Sequence, residues 1–342
     1  MKRTVSFSQS SVNVFFHILT GCNLKCCHCY INPKQHGDIT LPLITIENWL
    51  NLFAEKAPDT NLIFLGGEPT LHPELSDAVK AAKHLDYGSI TVDTNGYLFH
   101  DILAKVRPDE VDYFSFSLDG ATRRCNDLIR GAGCYDRCIA GIKQAVDSGF
   151  SASLIYTISS VNIGELELMA PLLSDLGIDR FFIQVLGLRG RNTAARETGR
   201  QVPPAEWLQK IPAAAEEIAR RDITVIYPKV FLEPSETFQC AGLVAQNYFI
   251  FPNGRVYRCP LCEDYPLHSM FIEANQLMET GKINEKDLFQ LDIPEGCVMN
   301  KLIQPGNLRY GSDGSPLYKI ACCLLKEEVQ YHYPLERGTR EP

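Results

Sequence analysis

The sequence predicts an α/β fold built on a parallel sheet, with a smaller cysteine-rich module after it. Two observations carry this. Short β-rich runs alternate with helix-period segments over the N-terminal two thirds of the chain, and that alternation then stops. The 13 cysteines fall mainly into a tight N-terminal group and a spread C-terminal one. A chain of 342 residues has room for one large domain and one smaller.

The expected strands are Val12–Leu19, Asn61–Leu65, Ser89–Asp93, Asp112–Leu118, Ser151–Thr157 and Arg180–Val185. The expected helices between them are Ile44–Lys56, Pro73–Leu85, Leu98–Val106, Asp136–Ser148 and Ile163–Leu176. In the last, Leu166, Met169, Ala170, Leu173 and Leu176 recur at three and four and mark one buried face. Repeated β-α units imply parallel strands joined by right-handed crossovers. A closed barrel and an open doubly wound sheet both satisfy this pattern, and in both the ligands sit at the C-terminal strand ends. A further helix runs from Pro203-Pro204 to Arg221 and leads out of the repeats.

Composition narrows the class. A hydrophobic content of 45% and a charged content of 22% are ordinary for a globular protein. The net charge of −8 argues against a nucleic-acid or anionic-membrane partner, which would call for a basic face. No secretion signal follows Met1-Lys2-Arg3, and no apolar run approaches a membrane span. A cytoplasmic location is expected. Thiols stay reduced there, so clustered cysteines lean towards metal rather than disulfides.

The tightest cluster is Gly21-Cys22-Asn23-Leu24-Lys25-Cys26-Cys27-His28-Cys29-Tyr30, directly after the first strand. Cys22, Cys26 and Cys29 stand as C-x3-C-x2-C. Three thiolates on one loop can hold three irons of a four-iron cluster and leave the fourth open; a full protein cage has four cysteines. A structural zinc site and chance clustering are the alternatives, although zinc loops usually come as paired C-x2-C units. After the second strand comes Leu65-Gly66-Gly67-Glu68-Pro69-Thr70. Its glycines permit a tight turn and close approach of backbone to a ligand, and Glu68 adds a carboxylate. The plain alternative is a strand-to-helix corner punctuated by Pro69 and Pro73.

The cysteine loop resembles that of the radical S-adenosylmethionine (SAM) superfamily, and the Cys22–Tyr30 string is similar to members with a C-terminal SPASM or twitch extension. Many members have Phe or Tyr before the last cysteine; His28 stands there here. The resemblance implies a partial (β/α)6 TIM-like barrel over residues 1–233 and an auxiliary iron–sulfur domain over 234–342. It implies a [4Fe–4S] cluster on Cys22, Cys26 and Cys29, with SAM on the open iron through its amino and carboxylate groups. Cys27 has no part in the motif. Gly66, Gly67 and Glu68 match the SAM-binding turn. Thr94, in Thr94-Asn95-Gly96 after the third strand, is a further contact near the cofactor. Ser117 and Arg130 match positions that face the SAM carboxylate, a fit for a guanidinium fork; Arg137 is close enough in sequence to compete. Asn162 matches a polar position near the ribose and is also readable as a helix cap. Leu186, with Val185, lies on the adenine side, before the Gly190-Arg191-Asn192 turn. Cys125, Cys134 and Cys138 are expected as core thiols.

The C-terminal module opens with Cys240, then Phe251-Pro252-Asn253-Gly254-Arg255-Val256-Tyr257-Arg258-Cys259, which reads as a hairpin around an Asn-Gly turn. That fold would bring Cys240 and Cys259 together. C-x13-G-x4-C resembles the opening half of a SPASM domain, but the C-x2-C-x5-C-x3-C half is absent. A single auxiliary cluster is therefore expected on Cys240, Cys259, Cys262 and Cys297, with Cys322 or Cys323 as a substitute. A structural zinc site is the alternative. The polar tail from Glu336 is expected to fray.

As the resemblance implies, one electron enters the N-terminal cluster and cleaves SAM to methionine and a 5′-deoxyadenosyl radical, which takes hydrogen from a substrate carbon. The cluster and SAM carry the reaction, and no further catalytic side chain is assignable. A low-potential ferredoxin or flavodoxin is the expected donor. Peptide or protein modification is the leading expectation, with small-molecule cofactor or metabolite biosynthesis as the rival. A non-catalytic iron–sulfur electron carrier is the rival of another class.

Overall fold

In a computed structural model, residues 2–190 and 200–331 are described. Arg191, Asn192 and the tail from Glu336 lie outside them. Seven parallel strands run in sequence order: β1 (Val12–His17), β2 (Thr60–Leu65), β3 (Ser89–Thr94), β4 (Tyr113–Ser117), β5 (Ala152–Ile158), β6 (Arg180–Val185) and β7 (Thr224–Pro228). The order never reverses, so the sheet has no switch point and is wound in one sense, as a barrel is. It does not close. A two-stranded pair, β8 (Phe231–Leu232) and β13 (Lys319–Ile320), lies apart. The first edge is extended by β9 (Gln246–Ile250), parallel to β1, then by β10 (Arg255–Tyr257), β11 (Met270–Glu273) and β12 (Gln276–Glu279). β14 (Lys326–Val329) covers the other edge, antiparallel to β7. The expected Asn-Gly hairpin is β9–β10. It continues the barrel sheet, so the C-terminal module is joined to the core by backbone hydrogen bonds.

Strand periodicity sorts the side chains. Along β1, Val14 and Phe16 point to the helical layer, where Phe16 stacks on Trp49 and Phe64 at centroid distances of 5.9 and 6.4 Å. Phe15 and His17, on the other face, line the interior cavity. Fully buried Phe16, Phe64, Phe114, Phe116 and Phe181 make the helix-side core. Truncating one of them costs about 3–5 kcal/mol.

The strand expectations agree with the structure to within two residues at each end. The helices agree less well. Ile44–Lys56 is a helix over Leu43–Asn51 and then a 3-10 segment over Ala54–Asp59 that contains Pro58. Ile163–Leu176 begins as 3-10 and becomes α-helical only at Met169. Several elements were absent from the sequence reading, two of them next to the predicted repeats. The helix Arg123–Arg130 has too few apolar residues to show a period, and β7 directly follows the long helix Pro204–Ala219.

Candidate functional site

A cavity of about 300 Å³ lies at the C-terminal ends of the strands, and β1 to β6 each contribute to its wall. Cys22, Cys26 and Cys29 all line it. The cysteine loop reaches this position through backbone bonds at both ends. Glu68 N–H donates to Gly21 O (2.9 Å), and Cys27 N–H donates to Ile129 O (3.0 Å). Burial pushes the Cys26 thiol up to about 12 against the pull of Arg130. Among the described residues, no three His, Cys, Asp or Glu side chains converge closely enough to hold a single ion. Three thiols on one cavity wall, outside any single-ion group, form a donor set that fits a multi-iron cluster better than a zinc ion.

Gly66, Gly67 and Glu68 also line the cavity. The glycines are needed for packing against backbone. A Cβ on Gly67 would lie 2.2 Å from Gly21 O, and one on Gly66 would lie 2.6 Å from Leu19 O. Only bare backbone lets this turn lie on the cysteine loop. Glu68 is buried, and much of its accepting capacity is used within the protein. Oε1 accepts from Thr70 N (3.1 Å), Thr70 Oγ1 (2.7 Å) and Thr94 Oγ1 (2.8 Å), and Oε2 accepts from Asn95 N (2.7 Å). Burial raises its carboxyl and these donors pull it back. Glu68 thus ties the turn to the end of β3, with spare accepting capacity on Oε2. Thr94 also accepts from Gly96 N (3.2 Å), so its hydroxyl is braced from two sides. Thr94 lines the cavity, and one lone pair of its hydroxyl is left for a further contact.

Ser117, Arg130 and Leu186 line the same cavity. Arg130 Nε lies 2.6 Å from Asp119 Oδ2, and His28 Nε2 lies 3.1 Å from the same oxygen. Asp119 Oδ1 accepts from Thr157 N (2.7 Å). Burial opposes the Asp119 charge, but Arg130 and His28 outweigh it and hold the carboxyl at about 2. Pairing at Nε leaves the terminal nitrogens of Arg130 outside that contact. Arg137 instead stacks over Tyr97, 5.6 Å from the ring centroid, and is not part of the cavity wall. Asn162 is a correction. It is fully buried away from the cavity, donating to Asp119 O (3.1 Å) and Thr157 O (2.8 Å) and accepting from Ser159 N (2.7 Å). It shapes the turn after β5.

The sequence reading missed the opposite wall. His17 Nδ1 lies 3.0 Å from Ile250 O, an acceptor, so Nδ1 carries the proton and Nε2 accepts from Tyr30 OH (2.9 Å). Burial holds His17 neutral, with its pKa at about 3. Arg189 sits over the Tyr30 ring at 4.8 Å and pairs with buried Glu263 at 3.2 Å. Gly190 lies so close to Tyr30 O that a Cβ would be 2.3 Å from it, and its φ is +61°. Gly190 N donates to Asp264 Oδ2 (3.0 Å), and Asn32 Nδ2 donates to Asp264 Oδ1 (3.0 Å). The C-terminal module is thereby latched onto the cysteine loop and the end of β6. Asp93 lines the wall too, with burial pushing its carboxyl up to about 7. Acidic Asp93 inside the otherwise apolar and hydroxyl-bearing β3 was the one sequence signal for this wall.

A second, much smaller cavity of about 30 Å³ is lined by Cys240, Cys259, Cys297, Cys322 and Cys323. Cys262 is fully buried and is not in its wall, although its thiol bonds that of Cys259. Cys322 Sγ accepts from Ala241 N (3.4 Å), and the Cys240 thiol together with further backbone N–H groups holds it down at about 7. Cys297 Sγ accepts from Asn300 N (3.4 Å). Cys322 thus lines the cavity with Cys240, Cys259 and Cys297, whereas Cys262 reaches the group through Cys259 from outside the lining. Cys125, Cys134 and Cys138 are buried core thiols, as expected.

Comparison with known proteins agrees with this arrangement. Residues 16–172 match the Radical SAM superfamily. The mycofactocin maturase MftC of Mycobacterium ulcerans is 26% identical over 276 residues, 76% of this chain and 70% of that protein. A probable GTP 3′,8-cyclase of Saccharolobus islandicus is 30% identical over 164 residues, 47% of this chain and 53% of that protein. The chain thus spans only about half of that relative. In fold, it resembles Streptococcus suis SuiB bound to its precursor peptide SuiA, with a TM-score of 0.60, 16% identity, and coverage of 93% of this chain and 70% of SuiB. Residues 16–172 thus carry a radical SAM domain, and the chain is an enzyme of that class. Its cofactors are a [4Fe–4S] cluster and SAM. No helix among the described residues is long and apolar enough to cross a membrane.

Proposed function

We propose that the chain modifies a peptide or protein by radical chemistry, with Cys22, Cys26 and Cys29 holding the cluster. The observation that carries this is one cavity whose wall is shared by the three thiols, the Gly66-Gly67 turn, Ser117, Arg130 and Leu186, and side chains of the C-terminal module. When bound, the reduced cluster and SAM supply a one-electron cleavage that yields a 5′-deoxyadenosyl radical able to take hydrogen from an unactivated carbon. The protein's part is to place, orient and shield. The three thiolates leave one iron without a protein ligand. The terminal nitrogens of Arg130 and the Ser117 hydroxyl suit a carboxylate, and the backbone of the Gly66-Gly67 turn suits an ammonium. Phe15, Phe249, Leu186 and Leu324 supply apolar wall that excludes water.

In the same reading, Cys240, Cys259, Cys297 and Cys322 hold an auxiliary cluster with no open iron, a composition suited to electron transfer or structure. The electron donor is a low-potential ferredoxin or flavodoxin, and the location is cytoplasmic. Peptide modification is favoured by the likeness to MftC over 76% of the chain and by a fold likeness to SuiB that extends through the C-terminal module. The likeness to the GTP cyclase covers only 47% of the chain.

The test is anaerobic incubation of reconstituted enzyme with SAM, a reductant and a deuterated short peptide encoded beside its gene. The expected result is a mass change in the peptide with deuterium in 5′-deoxyadenosine. Deuterium transfer from a nucleotide or porphyrin in place of the peptide would overturn the peptide reading.

A further inference from the structure

Between its two backbone anchors the cysteine loop is partly exposed, and among the described residues Cys22 is the one exposed cysteine. A side-chain bond reaches this exposed stretch. Asn95 Nδ2 donates to Asn23 Oδ1 at 2.8 Å, bridging β3 and the residue next to Cys22. Asn95 is buried and its orientation is fixed. Its backbone N–H is held by Glu68 Oε2 at 2.7 Å, and its Oδ1 accepts from Tyr97 N at 3.2 Å. With Oδ1 taken by an N–H, the NH2 side must be the donor to Asn23. Leu24 N–H then donates to Cys22 Sγ at 3.3 Å and closes a turn on the thiol. The sequence Thr94-Asn95-Gly96 reads as a loop signal alone. The fold turns its central residue into a strut.

We propose that Asn95 is a positioning residue for the N-terminal cluster: through Asn23 it holds the Cys22 arm against the barrel and sets how firmly that arm retains iron. The inference rests on the reading that Cys22, Cys26 and Cys29 hold the cluster. Exposed ligand arms are where a cluster opens first, because solvent and chelator reach them. A buried strut raises the free energy of that opening by the worth of one hydrogen bond, about a fivefold change in rate.

The experiment uses the full reconstituted chain, reduced and anaerobic, with a ferrous-iron chelator as the probe. It follows decay of the N-terminal cluster's SAM-responsive spectroscopic signal. Asn95→Ala and Asn23→Ala are each expected to lose the signal about fivefold faster than the parent, and the double variant no faster than either. Asn23→Asp keeps the acceptor and is expected to stay within about twofold of the parent. Asn23 is exposed, so its replacement does not threaten the fold. Parent-like decay in Asn23→Ala, or additive effects in the double variant, would overturn the strut. An effect of Asn95→Ala alone, with weakened SAM binding, would do the same and place Asn95 on SAM. Cys22→Ala separates the levels. If it keeps the SAM-responsive signal, the ligand reading itself is wrong; if it loses the signal while the Asn variants match the parent, only the strut fails.

Discussion

The two thiol groups differ in how they are built. Cys22, Cys26 and Cys29 lie on one short loop and open onto a cavity of about 300 Å³ with Arg130, Asp93 and Glu263 in its wall. Cys240, Cys259, Cys297 and Cys322 come from separate segments and surround about 30 Å³ among Phe238, Leu261, Phe289 and Met299. The first has room for a ligand beside a metal centre; the second is closed by its own side chains. A site that must accept a ligand needs few protein donors and an open side, whereas one that passes electrons or braces the fold can be sealed. The two share a wall, since Leu261, Cys323 and Leu324 line both cavities.

The largest expected effect breaks the comparison at the open site. Cys22→Ala, Cys26→Ala or Cys29→Ala should each lower 5′-deoxyadenosine formation by more than about 10³-fold if, as proposed, each removes an iron ligand of the centre that cleaves SAM. Cys27→Ala should stay within about tenfold; its sulfur bonds Arg200 (3.0 Å) and is absent from the cavity wall. Product quantified by mass spectrometry after anaerobic reduction decides it. Activity surviving in Cys26→Ala would remove the assignment.

The next prediction sharpens the comparison at the closed site. Reconstituted protein should bind about eight irons if both centres are four-iron clusters. Cys297→Ala should bring that to about four, while Cys262→Ala should leave about eight. Iron and zinc by elemental analysis are the readout. About four irons with one zinc in the parent would make the closed site a zinc site, and loss of iron in Cys262→Ala would restore Cys262 as a ligand.

The same contrast explains what was legible in sequence. The open site was legible because its ligands are local: the cysteine loop, Gly66-Gly67 and Ser117 each follow a strand that shows its own period. The closed site was legible as a group of cysteines and no further. Choosing between Cys262 and Cys322 depends on where a loop tens of residues away packs, which the C-x2-C spacing does not show. Asn162 misled for a related reason, since its position after β5 is right but its side chain turns inwards to bond Asp119 O. The wall of His17, Tyr30, Arg189 and Glu263 had no signal but Asp93, because β1, the cysteine loop, the end of β6 and the C-terminal turn meet only in the fold. The barrel's incomplete closure was equally hidden, because six alternations fit either winding.

Acid stability probes how the open site is held in place. Asp119 titrates at about 2 in the fold against an ordinary 3.8. A depressed carboxylate contributes stability that is fully present above its unfolded pKa and is lost as pH falls through the folded one. Here that is about 2 kcal/mol, fading between about pH 4 and 2. Asp119→Asn leaves Arg130 and His28 buried without their counter-charge and should destabilise the apo-protein by about 3 kcal/mol near neutrality. Its deficit should shrink as pH falls towards 2. Denaturant melts across this range test it, and a deficit independent of pH would show that the Asp119 charge is not what the site holds.

The smallest effect separates a residue that touches the cofactor from one that braces the site. Thr94 Oγ1 donates to Glu68 Oε1 at 2.8 Å and accepts from Gly96 N at 3.2 Å. Thr94→Val keeps the shape and removes both bonds, while Glu68 retains its two donors from Thr70 and one from Asn95. The expected cost is about 1–2 kcal/mol in denaturant melts, with SAM cleavage reduced less than about tenfold. Thr94→Ser keeps the hydroxyl and should fall within about 0.5 kcal/mol of the parent. If Thr94→Val instead lost SAM cleavage as completely as the cysteine variants while melting normally, the hydroxyl would belong to the cofactor. Glu68 would then hold the end of β3 through Asn95 alone.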